Sequence, residues 1–201
     1  MSGEFDPALR AAGAVLELDD GSRAALPVQR WCDDPDPVDL GLIDRCTGPT
    51  LDIGCGPGRF TSALRSRGIP ALGIDVSPEA VRMTLRRGGV ALRRDVFEPL
   101  PDEGRWRHVL LVDGNLGIGG DPAALLRRVR ALLDRRGHAL VEVAAPGAGL
   151  RTGFARLDRG PWFPWAEADA AGLAVVAART GLVPAERLHR EHRWFVDLLV
   201  P

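Results

Sequence analysis

The chain has 201 residues but contains no lysine and no tyrosine, so all 26 of its basic residues are arginines. A phosphate-binding Walker loop requires a lysine, and the absence of lysine therefore excludes that kind of nucleotide site. The formal net charge is only −1, which provides no overall attraction to nucleic acids or to anionic membranes. We therefore expect neither nucleic acid nor a membrane as a partner.

Cysteines and long apolar runs are also scarce. The three cysteines, Cys32, Cys46 and Cys55, lack the Cys/His spacing of a zinc site, so we expect no metal. No segment approaches the roughly 18–20 apolar residues of a membrane span, and the N-terminus lacks a basic region followed by an apolar run. We expect a reduced, cytoplasmic protein that is a monomer or a homodimer.

A regular alternation of short apolar runs and helical stretches begins at Thr50. Such alternation is typical of parallel strands joined by right-handed crossover helices, in a doubly wound α/β sheet covered on both faces. A helix over 167–180 precedes two strands, 182–189 and 193–200, which we expect to pair as an antiparallel hairpin because only a few residues separate them. The other predicted strands are 50–53, 71–76, 90–93, 107–113 and 138–144, and the helices between them are 59–67, 78–87 and 122–133.

Less regular segments precede this alternation. Residues 14–27 predict a hairpin, and an Asp- and Pro-rich linker separates it from a short helix over 38–46. We therefore divide the chain into an N-terminal hairpin-and-helix extension, 1–46, and a single compact domain, 47–201.

Residues 144–165 are rich in glycine and proline and predict a long loop. Loops of this length without secondary structure are usually functional lids or mobile segments. This one contains Trp162, Phe163 and Trp165, which we predict to bind the substrate as an aromatic wall.

Residues 50–60 predict a buried strand that runs into a glycine turn and then into a helix. Glycines in such a turn allow positive φ angles and let a ligand approach the backbone closely. A dinucleotide-binding fingerprint needs glycines at i, i+2 and i+5, whereas Gly54, Gly56 and Gly58 occupy i, i+2 and i+4. This spacing disfavours a nucleotide-binding oxidoreductase. Cys55 fits the turn as a small residue, since no base accompanies it.

Four acidic residues stand at the ends of four consecutive predicted strands, namely Asp52, Asp75, Asp95 and Asp113. The carboxyl ends of parallel strands meet at one rim of the sheet, where doubly wound sheets bind their ligands. Asp75 follows the last glycine of the turn by 17 residues, and an acid in that place can bind both hydroxyls of a ribose. We therefore predict a ligand site along this rim.

These segments resemble the successive motifs of class I S-adenosylmethionine (SAM)-dependent methyltransferases. The resemblance is carried by LDIGCGPGRF (51–60), GIDVSP (73–78), RRDVF (93–97) and LLVDGN (110–115), and it covers about residues 48–145 plus the final hairpin. It implies a Rossmann-like sheet of seven strands in the order 3-2-1-4-5-7-6, with the last strand antiparallel. The chain is most similar to short actinobacterial members of the family whose substrate is unassigned.

The resemblance also implies how the cofactor SAM, and its product S-adenosylhomocysteine (SAH), would bind. The three glycines would line the methionine and ribose parts, with Asp52 by the amino group. Asp75 would hold the ribose hydroxyls, and Asp95 with Val96 would flank the adenine. The full predicted cofactor-binding set is Asp52, Gly54, Cys55, Gly56, Gly58, Asp75, Val76, Asp95, Val96, Asp113 and Gly114.

The sequence departs from two subfamilies. The Asn/Asp-Pro-Pro-aromatic element of methyltransferases that act on amino and amide nitrogens is missing, because Asp113-Gly114-Asn115 follows the fourth strand instead. This departure disfavours an RNA methyltransferase. The metal ligands of a catechol-type site are likewise not recognisable.

Methyl transfer from an activated sulfonium mainly needs alignment of the reacting atoms, with a base only where the acceptor must lose a proton. The predicted catalytic candidates are Asn115 and Glu142, near the expected methyl position, and His189 in the final hairpin turn. His108 and His138 open their strands at the opposite rim, so we expect them to be structural.

The predicted function is SAM-dependent methyl transfer to a small-molecule acceptor through an O, N or C nucleophile, in secondary metabolism. A non-catalytic SAM- or SAH-binding protein with a partner or sensing role stays open, because no convincing base accompanies the cofactor motifs.

Overall fold

The computed structural model describes residues 4–11 and 13–201, which form two β-sheets with helices around them. The N-terminal part consists of a short helix, a hairpin and two further helices. These elements are α1 (Asp6–Ala11), β1 (Val15–Leu18), β2 (Arg23–Ala25), α2 (Val28–Cys32) and α3 (Pro37–Ile43).

The rest of the chain alternates strands with helices and ends in two strands. The strands are β3 (Thr50–Ile53), β4 (Ala71–Asp75), β5 (Ala91–Arg93), β6 (Trp106–Leu111), β7 (Leu133–Val143), β8 (Leu150–Leu157), β9 (Phe163–Ala168), β10 (Val183–Arg190) and β11 (Arg193–Leu199). The helices are α4 (Arg59–Ser66), α5 (Pro78–Arg86), α6 (Pro122–Leu132) and α7 (Ala170–Ala177), with a 3₁₀ segment at Asn115–Gly120. Within the described part of the chain, no helix is long and apolar enough to cross a membrane.

The larger sheet has seven strands in the order β10-β11-β7-β6-β3-β4-β5. Five strands, β5, β4, β3, β6 and β7, are parallel to one another, whereas β11 runs antiparallel to its two neighbours, β7 and β10. Counted along the chain within this sheet, the order is 3-2-1-4-5-7-6, so the predicted fold class is confirmed. The strand order reverses at β3, and the crevice at such a switch point is where these sheets bind ligands.

Alternate side chains of the central strands enter two apolar layers. On β6, Val109 and Leu111 belong to the cluster that contains α6 and α7, whereas Leu110 belongs to the cluster that contains Phe60 of α4 and Ile43 of α3. This is the period-two alternation of a strand that is buried on both faces. The covered sheet fixes the positions of the strand ends that form the rim.

The prediction of a long loop over 144–165 was wrong, because most of this segment belongs to the hairpin β8–β9. Strand β8 pairs with β1, and the four strands form a second, antiparallel sheet in the order β2-β1-β8-β9. The partner strand lies about 140 residues away in the sequence, and glycines and prolines obscure the alternation. Gly153 lies opposite Trp165, and a β carbon at Gly153 would lie 2.5 Å from the Asp19 carboxylate. A side chain at position 153 would therefore displace the Asp19 carboxylate, which accepts the N–H of Phe154 at 2.9 Å.

Helix α7 begins later than predicted because β9 continues to the residue before Asp169. The Asp169 carboxylate accepts the backbone N–H groups of Gly172 and Ala171 at the helix start, at 2.8 and 3.0 Å. It also accepts those of Gly149 and Gly147 before β8, at 3.0 and 2.9 Å. These backbone hydrogen bonds, with that of Gly172 foremost, lower the pKa of Asp169 to about 2. One carboxylate thus holds the helix start against the second sheet.

We expect Asp169→Ala to lower Tm by several degrees, because four backbone donors lose their acceptor. The lowered pKa means that the carboxylate stabilises the fold fully above the unfolded-state pKa of about 3.9 and loses this effect as pH falls toward about 2. The difference in Tm between wild type and variant, measured by scanning calorimetry, should therefore shrink between pH 4 and pH 2. Glu98→Ala, at an exposed position, is the control, and an equal effect of both variants would contradict this assignment.

Candidate functional site

A cavity of about 1190 Å³, counted out to its open mouth, lies at the carboxyl ends of β3 to β6. Its floor, as we call it, consists of these strand ends and the glycine turn after β3. Its roof consists of the lining residues contributed by 4–31, together with Trp165 of β9.

Most of the predicted cofactor-binding residues lie at this cavity. The nine that line it are Asp52, Gly54, Cys55, Gly56, Asp75, Val76, Asp95, Val96 and Asp113. Gly58 and Gly114 do not line it but stand directly before α4 and the 3₁₀ segment, where both have positive φ angles. The rim predicted from four strand ends therefore exists as one continuous surface.

The glycine turn presents its backbone to the cavity at Gly56. This residue has φ = +52°, and a β carbon there would have no heavy atom within 4 Å, so the space beside the backbone is open. Asn115 supports the turn from the side, because its Nδ2 donates to the carbonyls of Ile53 and Gly54 at 2.8 and 3.0 Å. The Asn115 amide, predicted to be catalytic, thus acts on the shape of the turn.

Asp75 ends β4 beside this turn. One of its oxygens accepts the N–H of Gly56 at 3.0 Å, and the other accepts the N–H of Ser77 at 2.8 Å. Burial raises the pKa of Asp75. A carboxylate offers about four lone-pair positions, so Asp75 keeps the capacity to accept from a hydroxyl group of a ligand.

Asp52 and Cys55 are buried parts of the floor. The carboxylate of Asp52 accepts the hydroxyl of Thr61 at 2.7 Å, and burial raises its pKa to about 6. Burial also raises the pKa of the Cys55 thiol, which lies against Gly73 and 3.7 Å from the Thr84 hydroxyl. The thiol is therefore protonated, in keeping with Cys55 as a small packing residue.

A cluster of buried and half-buried charges borders the cavity floor. This arginine–carboxylate cluster has Asp39 at its centre, a wholly buried carboxylate of α3 that accepts hydrogen bonds from Arg59 and, at 2.8 Å, from Arg193. Ion pairs of up to 3.9 Å connect the remaining members. The full cluster is Arg30, Asp36, Asp39, Arg59, Asp113, Glu142 and Arg193.

Two members of this cluster, Glu142 and Asp113, are residues for which the sequence predicted contact with the acceptor and with the cofactor. Glu142 receives two hydrogen bonds from Arg193, at 2.8 and 2.9 Å, and accepts the N–H of Asp113 at 2.7 Å. Glu142 does not line the cavity, and its predicted contact with the acceptor stays a prediction. Asp113 lines the cavity but pairs with Arg59 and, at 3.0 Å, with Arg30.

Sequence reasoning missed Asp39, Arg59 and Arg193. One signal was available, because Arg193 lies on the same face of β11 as the buried Phe195, two residues further on. A charge on a buried face must be paired. The identity of its partners was not accessible, since Asp39 and Arg193 are 154 residues apart.

His189 also lies away from the cavity. Its ring stacks on Trp194 at 4.9 Å with an interplanar angle of 10°, at an exposed position in the final hairpin. The antiparallel pairing of β10 with β11 brings these two rings together. His189 and Trp194 line a separate pocket with Asp169 and Phe195, so the structure does not bring His189 together with the other predicted site residues, and its catalytic role stays a prediction.

Of the three aromatic residues predicted to bind substrate, Trp165 lines the cavity and the other two do not. Trp162 is 45% exposed, with the guanidinium of Arg156 4.6 Å from its ring centroid. Phe163 is buried, with its ring 5.9 Å from that of Phe5. The rings of Phe163 and Trp165 contact each other at 6.0 Å, so the hairpin keeps these two together and leaves Trp162 apart.

The described residues contain no group of three or more His, Cys, Asp or Glu side chains able to hold a metal ion.

At the opposite rim of the sheet, His108 is buried and its Nε2 accepts the N–H of Thr47 at 3.0 Å. Burial lowers the pKa of His108 to about 4. This histidine is a neutral structural residue at physiological pH.

We expect Asp39→Asn to lower the free energy of unfolding by about 3–5 kcal/mol, because it leaves two buried guanidinium groups without their shared carboxylate. The matched control is Asp44→Asn, which removes an exposed pair with Arg67 and should change it by about 1 kcal/mol or less. Urea unfolding followed by circular dichroism measures both. Equal losses in the two variants would contradict a central role of Asp39.

A family model described as a methyltransferase domain matches residues 29–196. A SAM-dependent methyltransferase from Bacteroides fragilis, solved in complex with SAH, has a TM-score of 0.82 at 20% identity, covering 100% of this chain and 97% of that one. The 1,6-didemethyltoxoflavin-N1-methyltransferase of Burkholderia thailandensis, solved with 1,6-didemethyltoxoflavin and SAH, has a TM-score of 0.58 at 20% identity, covering 75% and 69%. At these identities the structures show a shared fold.

An uncharacterized protein of Mycobacterium tuberculosis strain H37Rv is 37% identical over 126 residues, which are 63% of this chain. The chain spans 37% of the length of this curated relative. Because the methyltransferase-domain model matches most of the chain and the seven-stranded sheet has the matching strand order, the chain belongs to the methyltransferase-domain family and has the class I SAM-dependent methyltransferase fold.

Proposed function

We propose that this protein transfers a methyl group from SAM to a small-molecule acceptor, through an O, N or C nucleophile. The observation that carries the proposal is the cavity at the switch point of the sheet, where Gly56, Asp75 and Asp95 share one opening. The space beside the Gly56 backbone is open, and the Asp75 carboxylate can accept further hydrogen bonds. Both features suit a ligand that contains a ribose.

The residues present fit the cofactor in the places that the family resemblance implies. Asp75 would hold the ribose hydroxyls, the open backbone at Gly56 would lie against the ligand, and Asp95 with Val96 would flank the adenine. Bound SAM supplies a methyl group that is already activated by its sulfonium. Asn115 keeps the glycine turn in the conformation that this binding needs.

The protein's contribution to catalysis is then mainly positioning and exclusion of water. Alignment of two reactants contributes up to about 7–11 kcal/mol in favourable cases. Glu142 holds Arg193, and His189 lies outside the cavity, so neither is placed to take a proton from an acceptor. We therefore propose an acceptor whose nucleophile needs little activation by a protein base.

We also propose that the extension 1–46 covers the site of the domain 47–201. The ring of Phe5 contacts Trp165 at a centroid distance of 6.2 Å, and β1 pairs with β8, so the two parts share the roof. A covered cavity favours small acceptors over macromolecules. The neighbour from Burkholderia thailandensis was solved with a small molecule bound, and we propose an acceptor of similar size, from secondary metabolism.

We expect Asp75→Asn to weaken SAH binding by about tenfold to a hundredfold, since hydrogen bonds to a charged group contribute about 1.5–3 kcal/mol each. Titration calorimetry with SAH, SAM and NAD measures the effect. Asp102→Asn is the matched control, because Asp102 is exposed and its φ of +54° suits Asn as well. Binding of NAD in place of the sulfur ligands would overturn the proposal.

A second candidate is a non-catalytic SAM- or SAH-binding protein, which the engagement of Glu142 by Arg193 favours. Turnover separates the two functions. SAH release measured by coupled assay against a panel of phenols, amines and heteroaromatic amines should exceed the rate without acceptor for at least one class. Tight SAH binding without turnover on any class would support the second candidate.

A further inference from the structure

The cavity is lined by more carboxylates than guanidinium groups. Among the described residues, its acidic lining consists of Glu4 and the four strand-end acids predicted from the sequence. Its basic lining consists of Arg59 and Arg94. A concave site lined mainly by charges of one sign concentrates their potential, so this cavity attracts positive charge.

The arginine–carboxylate cluster contributes to this excess. It contains three arginines but four carboxylates, so one negative charge has no positive charge to balance it within the cluster. Of these four carboxylates, Asp113 is the one that lines the cavity. The unbalanced charge of the cluster therefore lies closest to a ligand at Asp113.

Asp113 is charged at neutral pH, and its charge acts on other groups of the cavity floor. Burial raises the pKa of Asp113, but its contacts with Arg59 and, at 3.0 Å, with Arg30 oppose this rise. Burial raises the pKa of Asp52 to about 6, and the negative charge of Asp113 adds to that rise. Buried charges are screened far less than exposed ones, so a charged ligand on the floor is also within the influence of Asp113.

The methyl donor and its product differ in charge. SAM carries an ammonium, a carboxylate and a sulfonium group, and thus one net positive charge. Methyl transfer forms a bond between the methyl carbon and the acceptor nucleophile and breaks the C–S bond, whose electron pair stays on sulfur. The sulfur of SAH is therefore an uncharged thioether, and SAH has no net charge. An excess of negative charge in the cavity attracts SAM much more strongly than SAH.

We propose that the excess negative charge of the cavity holds SAM more tightly than SAH, and that Asp113 determines this specificity. The inference rests on the proposed function, because it concerns the cofactor that this function requires. Asp113 acts through its charge and need not touch the ligand. Methyl transfer then lowers the affinity of the cavity for the ligand, so the product inhibits the protein only weakly.

Titration calorimetry of the full chain with SAM, SAH and sinefungin tests the proposal. Sinefungin is a SAM analogue in which an ammonium group provides the positive charge in place of the sulfonium, and it cannot transfer a methyl group. Asp113→Asn removes one negative charge and balances the cluster, and Asn tolerates the φ of +58° at this position. The matched control is Asp36→Asn, which removes the same charge from the same cluster, at a carboxylate that is 35% exposed and lies outside the cavity.

We expect wild type to bind SAM and sinefungin about tenfold more tightly than SAH. In Asp113→Asn this preference should fall by about fivefold to tenfold, because one buried negative charge is lost. The affinity of this variant for SAH should be unchanged, which also shows that its cavity is intact. Asp36→Asn should keep the preference of wild type, because solvent screens the charge that it removes.

Equal affinities of wild type for SAM and SAH, or the same preference in wild type and Asp113→Asn, would overturn the inference. Equal losses of affinity for all three ligands in Asp113→Asn would also overturn it, because they indicate a structural role. An equal loss of preference in Asp36→Asn would contradict the assignment to Asp113. Binding of none of the three ligands to wild type would overturn the proposed function itself, so the two failures are distinguishable.

Discussion

The arrangement of this molecule depends on one buried carboxylate, Asp39, held between the guanidinium groups of Arg59 and Arg193. Removing these charges from water costs several kcal/mol per ion, and only close, hydrogen-bonded pairing offsets that cost. The three residues come from α3, α4 and β11, so their pairing fixes the N-terminal extension, the helix after the glycine turn and the last strand relative to one another. Asp39 does not line the cavity, yet the shape of the cavity depends on it.

Pairing with arginines also limits which carboxylates near the cavity floor can take up a proton. Asp113 and Glu142 stand at strand ends where an acceptor-activating carboxylate would be useful, but both are engaged by arginines. A reaction whose donor is already activated tolerates this arrangement, since alignment contributes more than proton transfer does.

Local signals made the seven-stranded sheet predictable. The glycine turn at 54–58 and the Pro residues that begin α5 and α6 are signals contained within a few consecutive residues, so they can be recognised from the sequence. The hairpin β8–β9 was not predictable, because its pairing with β1 is distant in sequence and Gly153 and Pro164 weaken the strand pattern. The pairing of Glu142 with Arg193 could not be predicted either, because 51 residues separate them in the sequence. Strand ends predict which residues meet at a rim, but not which of them neutralise each other.

The hydroxyl of Ser77 donates to the carboxylate of Asp6 in α1. Ser77 is two residues beyond Asp75, and its own N–H is held by that side chain. One turn of the backbone therefore touches both Asp75 and the first helix of the roof. On the proposed function, in which Asp75 holds a ribose, binding at Asp75 and the packing of α1 are therefore linked through Ser77, and linkage makes the effect reciprocal.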